Sequence, residues 1–202
     1  MTKIVIVDYK LGNQTSLKNF CKNLGFNSLV TDSHHEIKSA DIIVLPGVGA
    51  FSEAMKNIKK KNLDKIIQDE NKINKPIIGI CLGMQIMGTR SYELGKTEGL
   101  KLIPGDIMPL NNPMFNIGWN NIAKIRKASE IYFSNEDAFF FNHSFKFNCN
   151  QKYIIAETND KYKIPSIIKH KNAIGIQFHP EKSQTSGKNL FANLIPELHQ
   201  NV

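Results

Sequence analysis

The chain of 202 residues carries a formal net charge of +8, and 41% of its residues are hydrophobic. This length and composition are typical of one globular domain with a large core, and no apolar run approaches the ~20 residues that span a bilayer. The basic residues do not indicate a nucleic-acid partner, because all but two of the 26 are lysines, scattered along the chain without a recognisable binding motif.

The cysteines and the first residues favour a reducing, cytoplasmic environment. Cys21, Cys81 and Cys149 are an odd number and lack the spacing of a metal site. The N-terminal stretch MTKIVIVDYK lacks the basic start, the long apolar centre and the small-residue cleavage site of a signal peptide. We therefore expect a cytoplasmic protein without a metal site.

The first half of the chain alternates predicted strands and helices. Strands are predicted at 3–8, 27–31, 41–45 and 76–80, and helices at 16–24, 52–59 and 63–69. This alternation is typical of a doubly wound α/β fold with a parallel sheet, in which ligands bind beyond the carboxyl ends of the strands. The last of these strands places Cys81 at that edge.

The second half is richer in predicted strands, at 118–125, 138–142, 153–157, 164–169 and 173–178. A final helix is predicted at 187–195, and Pro196 is expected to end it, because proline lacks the N–H that a helix interior requires. No repeat or low-complexity linker divides the chain. We therefore expect a single domain.

The stretch GICLG at 79–83 has the spacing G-x-C-x-G directly after a predicted strand. This is the spacing of a nucleophile elbow, a strained strand-to-helix turn flanked by small residues, with cysteine in place of serine. The helix that follows would present its N-terminal N–H groups and positive dipole end to a thiolate. A buried structural cysteine beside ordinary turn glycines is the alternative interpretation of the same residues.

His179 is the best-placed candidate for the base that a cysteine nucleophile requires. It ends a predicted apolar strand and precedes Pro180 and Glu181. Pro180 favours an extended conformation at His179, in which residues i and i+2 face the same side, ~6–7 Å apart. Glu181 is therefore expected to orient the imidazole as the third member of a triad. For these three residues alone, a strand-end histidine followed by a solvated acid is the alternative.

Acyl transfer also requires two N–H donors for the oxyanion of the tetrahedral intermediate. Leu82, directly after the cysteine, supplies one by the geometry of an elbow. The loop Gly47-Val48-Gly49, which follows the strand at 41–45, is a flexible segment that could present the other. A simple turn is the alternative, because proline and glycine commonly end strands.

Three motifs, LPGVGAF at 45–51, GICLGMQ at 79–85 and GIQFHPEKSQ at 175–184, together resemble the class I (triad) glutamine amidotransferases. Within that class the chain is similar to the glutaminase subunits of imidazole glycerol phosphate synthase. Further matches are IVDY and GN within 6–13, EGLKLIPG at 98–105, GWN at 118–120 and the His143-Ser144 pair. The resemblance covers nearly the whole chain and implies one glutamine amidotransferase type 1 domain over 1–202, with a flavodoxin-like α/β fold and a mostly parallel sheet flanked by helices.

The resemblance also implies roles for individual residues. Cys81 would attack the carboxamide carbon of L-glutamine, forming a glutamyl thioester and releasing ammonia, while His179 acts as general base and acid and Glu181 orients it. The backbone N–H groups of Val48 and Leu82 would form the oxyanion hole. No cofactor is implied.

Substrate-binding and partner-facing residues are implied as well. Gly49, Gln85, Glu93 and the backbone of His143 and Ser144 match positions that hold the glutamine head group. A histidine used for packing and an exposed helix residue are the alternatives for His143 and Gln85. Trp119 and Lys182 match the face toward a synthase partner, with a core tryptophan and an exposed lysine as the alternatives.

Three positions depart from the family pattern. Lys10 stands where a glycine is usual, a costly exchange if the local φ is positive. Asn116 stands where histidine is common, and Phe145 where tyrosine is frequent. None belongs to the expected triad, and we expect all three to affect the partner surface and hence the choice of synthase.

The resemblance implies a heterodimer in which ammonia passes through a channel to the cyclase subunit of imidazole glycerol phosphate synthase, in histidine biosynthesis. A paralogous subunit that supplies ammonia for amidation of a cell-surface sugar is the alternative within the family. Two hypotheses of other classes are a non-catalytic scaffold and a cysteine protease. The Cys81, His179 and Glu181 set argues against the first, and the match at Gln85 and Glu93 argues against the second.

Overall fold

The computed structural model describes residues 2–128 and 131–200. The strands are β1 Lys3–Val7, β2 Asn27–Thr31, β3 Ile42–Leu45, β4 Ile77–Ile80, β5 Arg90–Ser91, β6 Thr97–Glu98, β7 Asp106–Pro109, β8 Asn116–Lys124, β9 Ala138–His143, β10 Phe145–Asn148, β11 Ile154–Thr158, β12 Pro165–His170 and β13 Ala173–Ile176. The helices are α1 Gln14–Asn23, α2 His34–Lys38, α3 Phe51–Lys60, α4 Leu63–Lys72, α5 Leu82–Ile86 and α6 Gln184–Gln200. Short 3₁₀ turns lie at Gln151–Tyr153 and Pro180–Lys182.

A central sheet organises the fold, and in the described residues it has nine strands in the order β2-β1-β3-β4-β13-β12-β11-β8-β9. The five strands from β2 to β13 are mutually parallel. The remaining four extend this sheet in antiparallel fashion. The predicted α/β fold is confirmed, with its parallel part built almost entirely from the first half of the chain.

Both faces of the parallel part are buried under helices. Within β1, Val5 and Val7 point into one core together with side chains from α2, α3, α4 and α5, whereas Ile4 and Ile6 point into a second core with α1 and α6. A strand covered on both faces is apolar at every position, which explains the unbroken apolar run that predicted it.

A second sheet of strands β10, β7, β5 and β6, in that order, lies beside the first and was not predicted. Its strands have only two to four residues, too short to show a strand periodicity. The chain passes from the large sheet to the small one at Ser144, between β9 and β10. This junction places Ser144 and its neighbours at the edge where the parallel strands end.

The predicted end of the last helix at Pro196 is wrong, because α6 continues through Pro196 to Gln200. Pro196 lies on the exposed face, whereas Leu194, Ile195 and Leu198 continue the buried stripe on the other face. The burial of Leu198 beyond the proline therefore compensates for the missing hydrogen bond. Among the described residues, no helix has both the length and the apolar character needed to cross a membrane.

We predict that Pro196→Ala raises the free energy of unfolding by about 1–2 kcal/mol, because it restores a helix hydrogen bond at an exposed position. Leu198→Ala is expected to lower it by about 2–3 kcal/mol through lost burial. Urea unfolding of both variants measures these changes. A destabilised Pro196→Ala protein would contradict this account of the helix end.

Candidate active site

The carboxyl ends of three adjacent parallel strands, β3, β4 and β13, meet at one edge of the sheet. Cys81 follows β4 directly, and its N–H donates to the carbonyl of Ile176, the last residue of β13, at 2.7 Å. His179 lies three residues beyond that strand end. The topology thus brings together a cysteine and a histidine that are far apart in the sequence.

Cys81 occupies a strained backbone conformation with φ 53° and ψ −110°, where helix α5 begins. The strain is tolerated because the flanking glycines permit close packing around it. A Cβ on Gly83 would lie 1.8 Å from the carbonyl oxygen of Leu45, and a Cβ on Gly79 would lie 2.6 Å from the carbonyl oxygen of Gly83. These contacts give the G-x-C-x-G motif the geometry of a nucleophile elbow.

Gly47 packs directly against this elbow. A Cβ at Gly47 would lie 2.7 Å from the Cβ of Leu82 and 2.8 Å from the Tyr9 hydroxyl. The next residue, Val48, is 40% exposed, and Gly49 has a φ of 103° that disfavours any other residue. The loop at 47–49, which is expected to supply one oxyanion donor, therefore contacts Leu82, which is expected to supply the second donor.

His179 and Glu181 form a buried pair, with Nδ1 of the histidine 2.9 Å from Oε1 of the glutamate. Their side chains are only 2% and 4% exposed. Burial by itself lowers the pKa of His179, but hydrogen bonds to Cys81 and Glu181, and the negative charge on both, raise it well above the usual value. The imidazole is therefore set to hold a proton beside the sulfur.

The sulfur of Cys81 has two further polar neighbours. Its Sγ lies 3.9 Å from the carbonyl oxygen of Asn142 and 4.0 Å from Nε2 of Gln177, which is fully buried. Sequence reasoning missed both residues. The only signal for Gln177 was a single polar residue within the apolar run AIGIQF, and nothing in the sequence distinguished Asn142.

A cavity of about 220 Å³ opens over the sulfur, and it gathers most of the residues selected from the sequence. Its walls are formed by Val48, Gly49, Cys81, Leu82, Gln85, Glu93, Asn142, His143, Ser144, Phe145 and His179. Glu181 lies behind His179 rather than in the wall. Gln85 is 6% exposed, which contradicts the alternative of an exposed helix residue.

Glu93 connects the cavity to the loop at 47–49. Its Oε2 accepts a hydrogen bond from the N–H of Phe51 at 2.8 Å, at the first residue of α3. A carboxylate at a helix start satisfies an N–H that has no partner inside the helix and complements the dipole. Glu93 therefore fixes the segment that follows Gly49.

His143 is a buried residue of the cavity wall. Its Nδ1 donates to the carbonyl of Phe145 at 2.8 Å, and its Nε2 accepts from the amide of Asn116 at 2.9 Å. Burial lowers the pKa of His143 to about 4; the Phe145 carbonyl opposes this shift and the nearby His179 adds to it. The ring is therefore neutral at physiological pH.

Two of the three departures from the family pattern lie at or beside this cavity. Phe145 lines the cavity, and Asn116 is 6% exposed behind it. Lys10 does have a positive φ, 67°, and its N–H and Nζ both donate to the carboxylate of Asp8, at 2.9 and 2.7 Å. These two hydrogen bonds offset part of the strain of a lysine in that conformation.

Trp119 and Lys182 lie outside the cavity on a shared surface. The Trp119 ring packs edge-on against the Phe140 ring, with 5.9 Å between the ring centres. Nζ of Lys182 lies 5.8 Å from the centre of the Phe140 ring. Trp119 is 48% exposed, which contradicts the core-tryptophan alternative. Within residues 2–128 and 131–200, no cluster of three or more histidine, cysteine, aspartate or glutamate side chains is arranged to bind a metal ion.

The buried neutral His143 predicts a stability that falls in acid. The unfolded chain protonates this histidine below pH ~6.5, whereas the folded protein does so only near pH 4. Between these values the unfolded state binds more protons, so stability decreases as the pH is lowered, by about 3 kcal/mol in total.

The check is the free energy of unfolding measured from pH 4 to 7 in the natural protein and in His143→Gln. Glutamine can still donate to Phe145 and accept from Asn116, but it does not titrate. We expect the variant to lose much of the pH dependence in this window. Equal slopes in the two proteins would contradict the assignment of a buried neutral ring.

Comparison with known proteins identifies the family. The family model described as "Glutamine amidotransferase class-I" matches residues 5–196. The "Imidazole glycerol phosphate synthase subunit HisH" of Lactococcus lactis is 40% identical, over 98% of this chain and 100% of that protein. The protein of the same name from Carboxydothermus hydrogenoformans is 38% identical, over 94% of this chain and 97% of that protein.

Solved structures share the fold at low sequence identity. "Structure of PurLQS from Thermotoga maritima" aligns with a TM-score of 0.79 and 15% identity, over 98% of this chain and 99% of that one. A glutamine amidotransferase from Thermotoga maritima aligns with a TM-score of 0.73 and 15% identity, over 98% of both chains. The motifs, the elbow and the matched model agree, and the chain belongs to the class-I glutamine amidotransferase family.

Proposed function

We propose that this chain is the glutaminase subunit of an imidazole glycerol phosphate synthase, hydrolysing L-glutamine to glutamate and ammonia. The observation that carries the proposal is the single cavity that gathers Cys81, His179, Gln85 and Glu93. The relatives at about 40% identity, matched along nearly their whole length, support the pathway. We further propose that residues 1–202 make up one glutamine amidotransferase type 1 domain, which acts in the cytoplasm.

In the proposed reaction, the Cys81 thiolate attacks the carboxamide carbon of glutamine. His179 holds the thiol proton as an imidazolium, stabilised by Glu181, and transfers it to the leaving nitrogen, so that ammonia departs and a glutamyl thioester remains. His179 then accepts a proton from a water molecule that attacks the thioester, and the thiol is restored as glutamate leaves. Each step keeps the proton within reach of one imidazole.

The developing oxyanion is stabilised by two backbone N–H groups in this proposal. Leu82 is the first residue of α5, so its N–H has no partner inside the helix. Val48 supplies the second N–H from the loop that packs on the elbow. A missing donor of this kind costs ~10²–10³-fold in turnover.

The same cavity offers groups for the rest of the substrate. Gln85 and Glu93 are polar residues in its wall, and Gly49, His143 and Ser144 also line it. We propose that these groups hold the glutamine head group. The presence of Gln85 and Glu93, which match the glutamine-binding positions of the family, disfavours the protease hypothesis, and the intact thiol–imidazole–carboxylate arrangement disfavours a scaffold.

We propose that the ammonia passes through a channel to a cyclase subunit that docks on the surface of Trp119 and Lys182. Free ammonia in water is mostly protonated and is then no longer a nucleophile, so direct transfer is required for an efficient reaction. The sugar-amidation alternative is not favoured, because the matched relatives are named as synthase subunits.

Cys81→Ala and Cys81→Ser are expected to abolish ammonia release from glutamine while leaving the fold intact, because the side chain lines a cavity. His179→Ala should cost more than the ~10²–10⁴-fold typical of a lost general acid–base, and Glu181→Gln should cost less. A coupled glutamate assay with circular dichroism as the folding control measures both. Substantial glutaminase activity in pure Cys81→Ala protein would refute the proposal.

We also predict that the isolated chain is a poor glutaminase and that its partner activates it. Glycines on both sides of Val48 allow its peptide to rotate, so its N–H need not point at the oxyanion in the resting state. Turnover is to be compared for the chain alone, with the cyclase subunit, and with cyclase plus its nucleotide substrate. Full activity of the isolated chain, unchanged by any partner, would contradict this mode of control.

A further inference from the structure

Asn116 is a buried amide that none of the proposed catalytic steps uses. It lies in β8 directly opposite His143 of β9 in the antiparallel register. Side chains alternate along β8, so Asn116 and Asn120 face inward whereas Trp119 faces out. A buried amide is costly unless its hydrogen bonds are made, and those bonds indicate its task.

The hydrogen bonds of Asn116 determine the state of the His143 ring. Asn120 donates from Nδ2 to Oδ1 of Asn116 at 2.6 Å, so the amide group of Asn116 must direct its Nδ2 toward His143. That Nδ2 donates to Nε2 of the ring at 2.9 Å. The other ring nitrogen already donates to a carbonyl, so the ring carries one proton, on Nδ1, and has no site for a second.

The carbonyl that His143 binds also anchors a second residue of the cavity. The oxygen of Phe145 accepts from Nδ1 of His143 at 2.8 Å and from Nε2 of Gln85 at 3.1 Å. Gln85 also lies 3.3 Å from Oε1 of Gln177, beside the Cys81 sulfur. One hydrogen-bonded chain therefore runs from Asn120 to the wall around the nucleophile.

We infer that Asn116 is a positioning residue, which holds His143 as a neutral Nδ1-protonated ring and thereby fixes segment 143–145 and Gln85 for glutamine binding. This inference rests on the glutaminase proposed above. A neutral ring matters here because a cation at His143 would repel the imidazolium at His179. Asn116 itself does not line the cavity, so it acts through His143.

Two variants test the inference in the complex with the cyclase subunit. Asn116→Leu removes the donor at similar volume, and we expect the KM for glutamine to rise roughly tenfold while kcat stays within about threefold, as the loss of a buried hydrogen bond implies. Asn121→Leu is the matched control on the same strand, because the Asn121 side chain faces outward and donates to the carbonyls of residues 135–137, away from His143. It should leave both constants unchanged.

Asn116→Asp reverses the direction of the hydrogen bond to His143 without changing the shape of the side chain. The new carboxylate accepts rather than donates, so Nε2 of His143 should gain a proton. ¹⁵N NMR of histidine-labelled protein, with His143→Gln to assign the signals, should show one protonated ring nitrogen in the natural protein at pH 7 and two in this variant. The spectrum reports the protonation state of the His143 ring whether or not the protein hydrolyses glutamine.

The outcomes separate this inference from the proposed function. A natural complex without glutaminase activity would refute the proposed function, while the NMR result would still decide the ring state. An active complex in which Asn116→Leu leaves the KM unchanged would overturn the inference. Unchanged ring signals in Asn116→Asp would overturn it independently, and this isosteric variant serves if the leucine variant does not fold.

Discussion

The contact between Gly83 and the carbonyl of Leu45 is the constraint on which the rest of the site depends. No side chain fits between them, since a Cβ at Gly83 would meet that oxygen at 1.8 Å. The end of β3 therefore lies directly against the turn after β4. This contact brings the Val48 loop to Leu82, and it supports the strained backbone that exposes the thiol of Cys81 to the cavity.

Two histidines in one cavity are held in opposite protonation states by their surroundings. Both are buried, and burial lowers the pKa of each, but only His179 faces a thiol and a carboxylate that restore and raise it. His143 instead faces an amide donor and a carbonyl acceptor, which fit a neutral ring. The neighbours, rather than the degree of burial, decide which histidine is suited to proton transfer.

The parts of the site that depend on main-chain geometry were predictable from the sequence. G-x-C-x-G after an apolar strand, and a histidine and glutamate separated by one proline, specify local backbone shapes, so Cys81, His179 and Glu181 were found. Gln177 and Asn142 were missed because their positions near the sulfur arise from tertiary packing between segments that are far apart in the sequence. No local pattern encodes such contacts.

The fold shows the same division between local pattern and tertiary context. The parallel strands were predicted because a strand buried on both faces is apolar at every position. The small sheet was not predicted, because its strands of two to four residues have no measurable period. The end of the last helix was placed wrongly because the local effect of Pro196 is outweighed by the burial of Leu198, which only tertiary packing reveals.

Phe140 joins the surface of Trp119 and Lys182 to the proposed triad. Its ring contacts both of those side chains, while its carbonyl accepts from the N–H of His179 at 2.8 Å. The hydroxyl of Ser183 binds the same two residues, accepting from the N–H of Phe140 and donating to the carbonyl of His179. A partner that docks on this surface would therefore contact the side chains packed against Phe140, the residue that binds the backbone of His179, without reaching into the cavity.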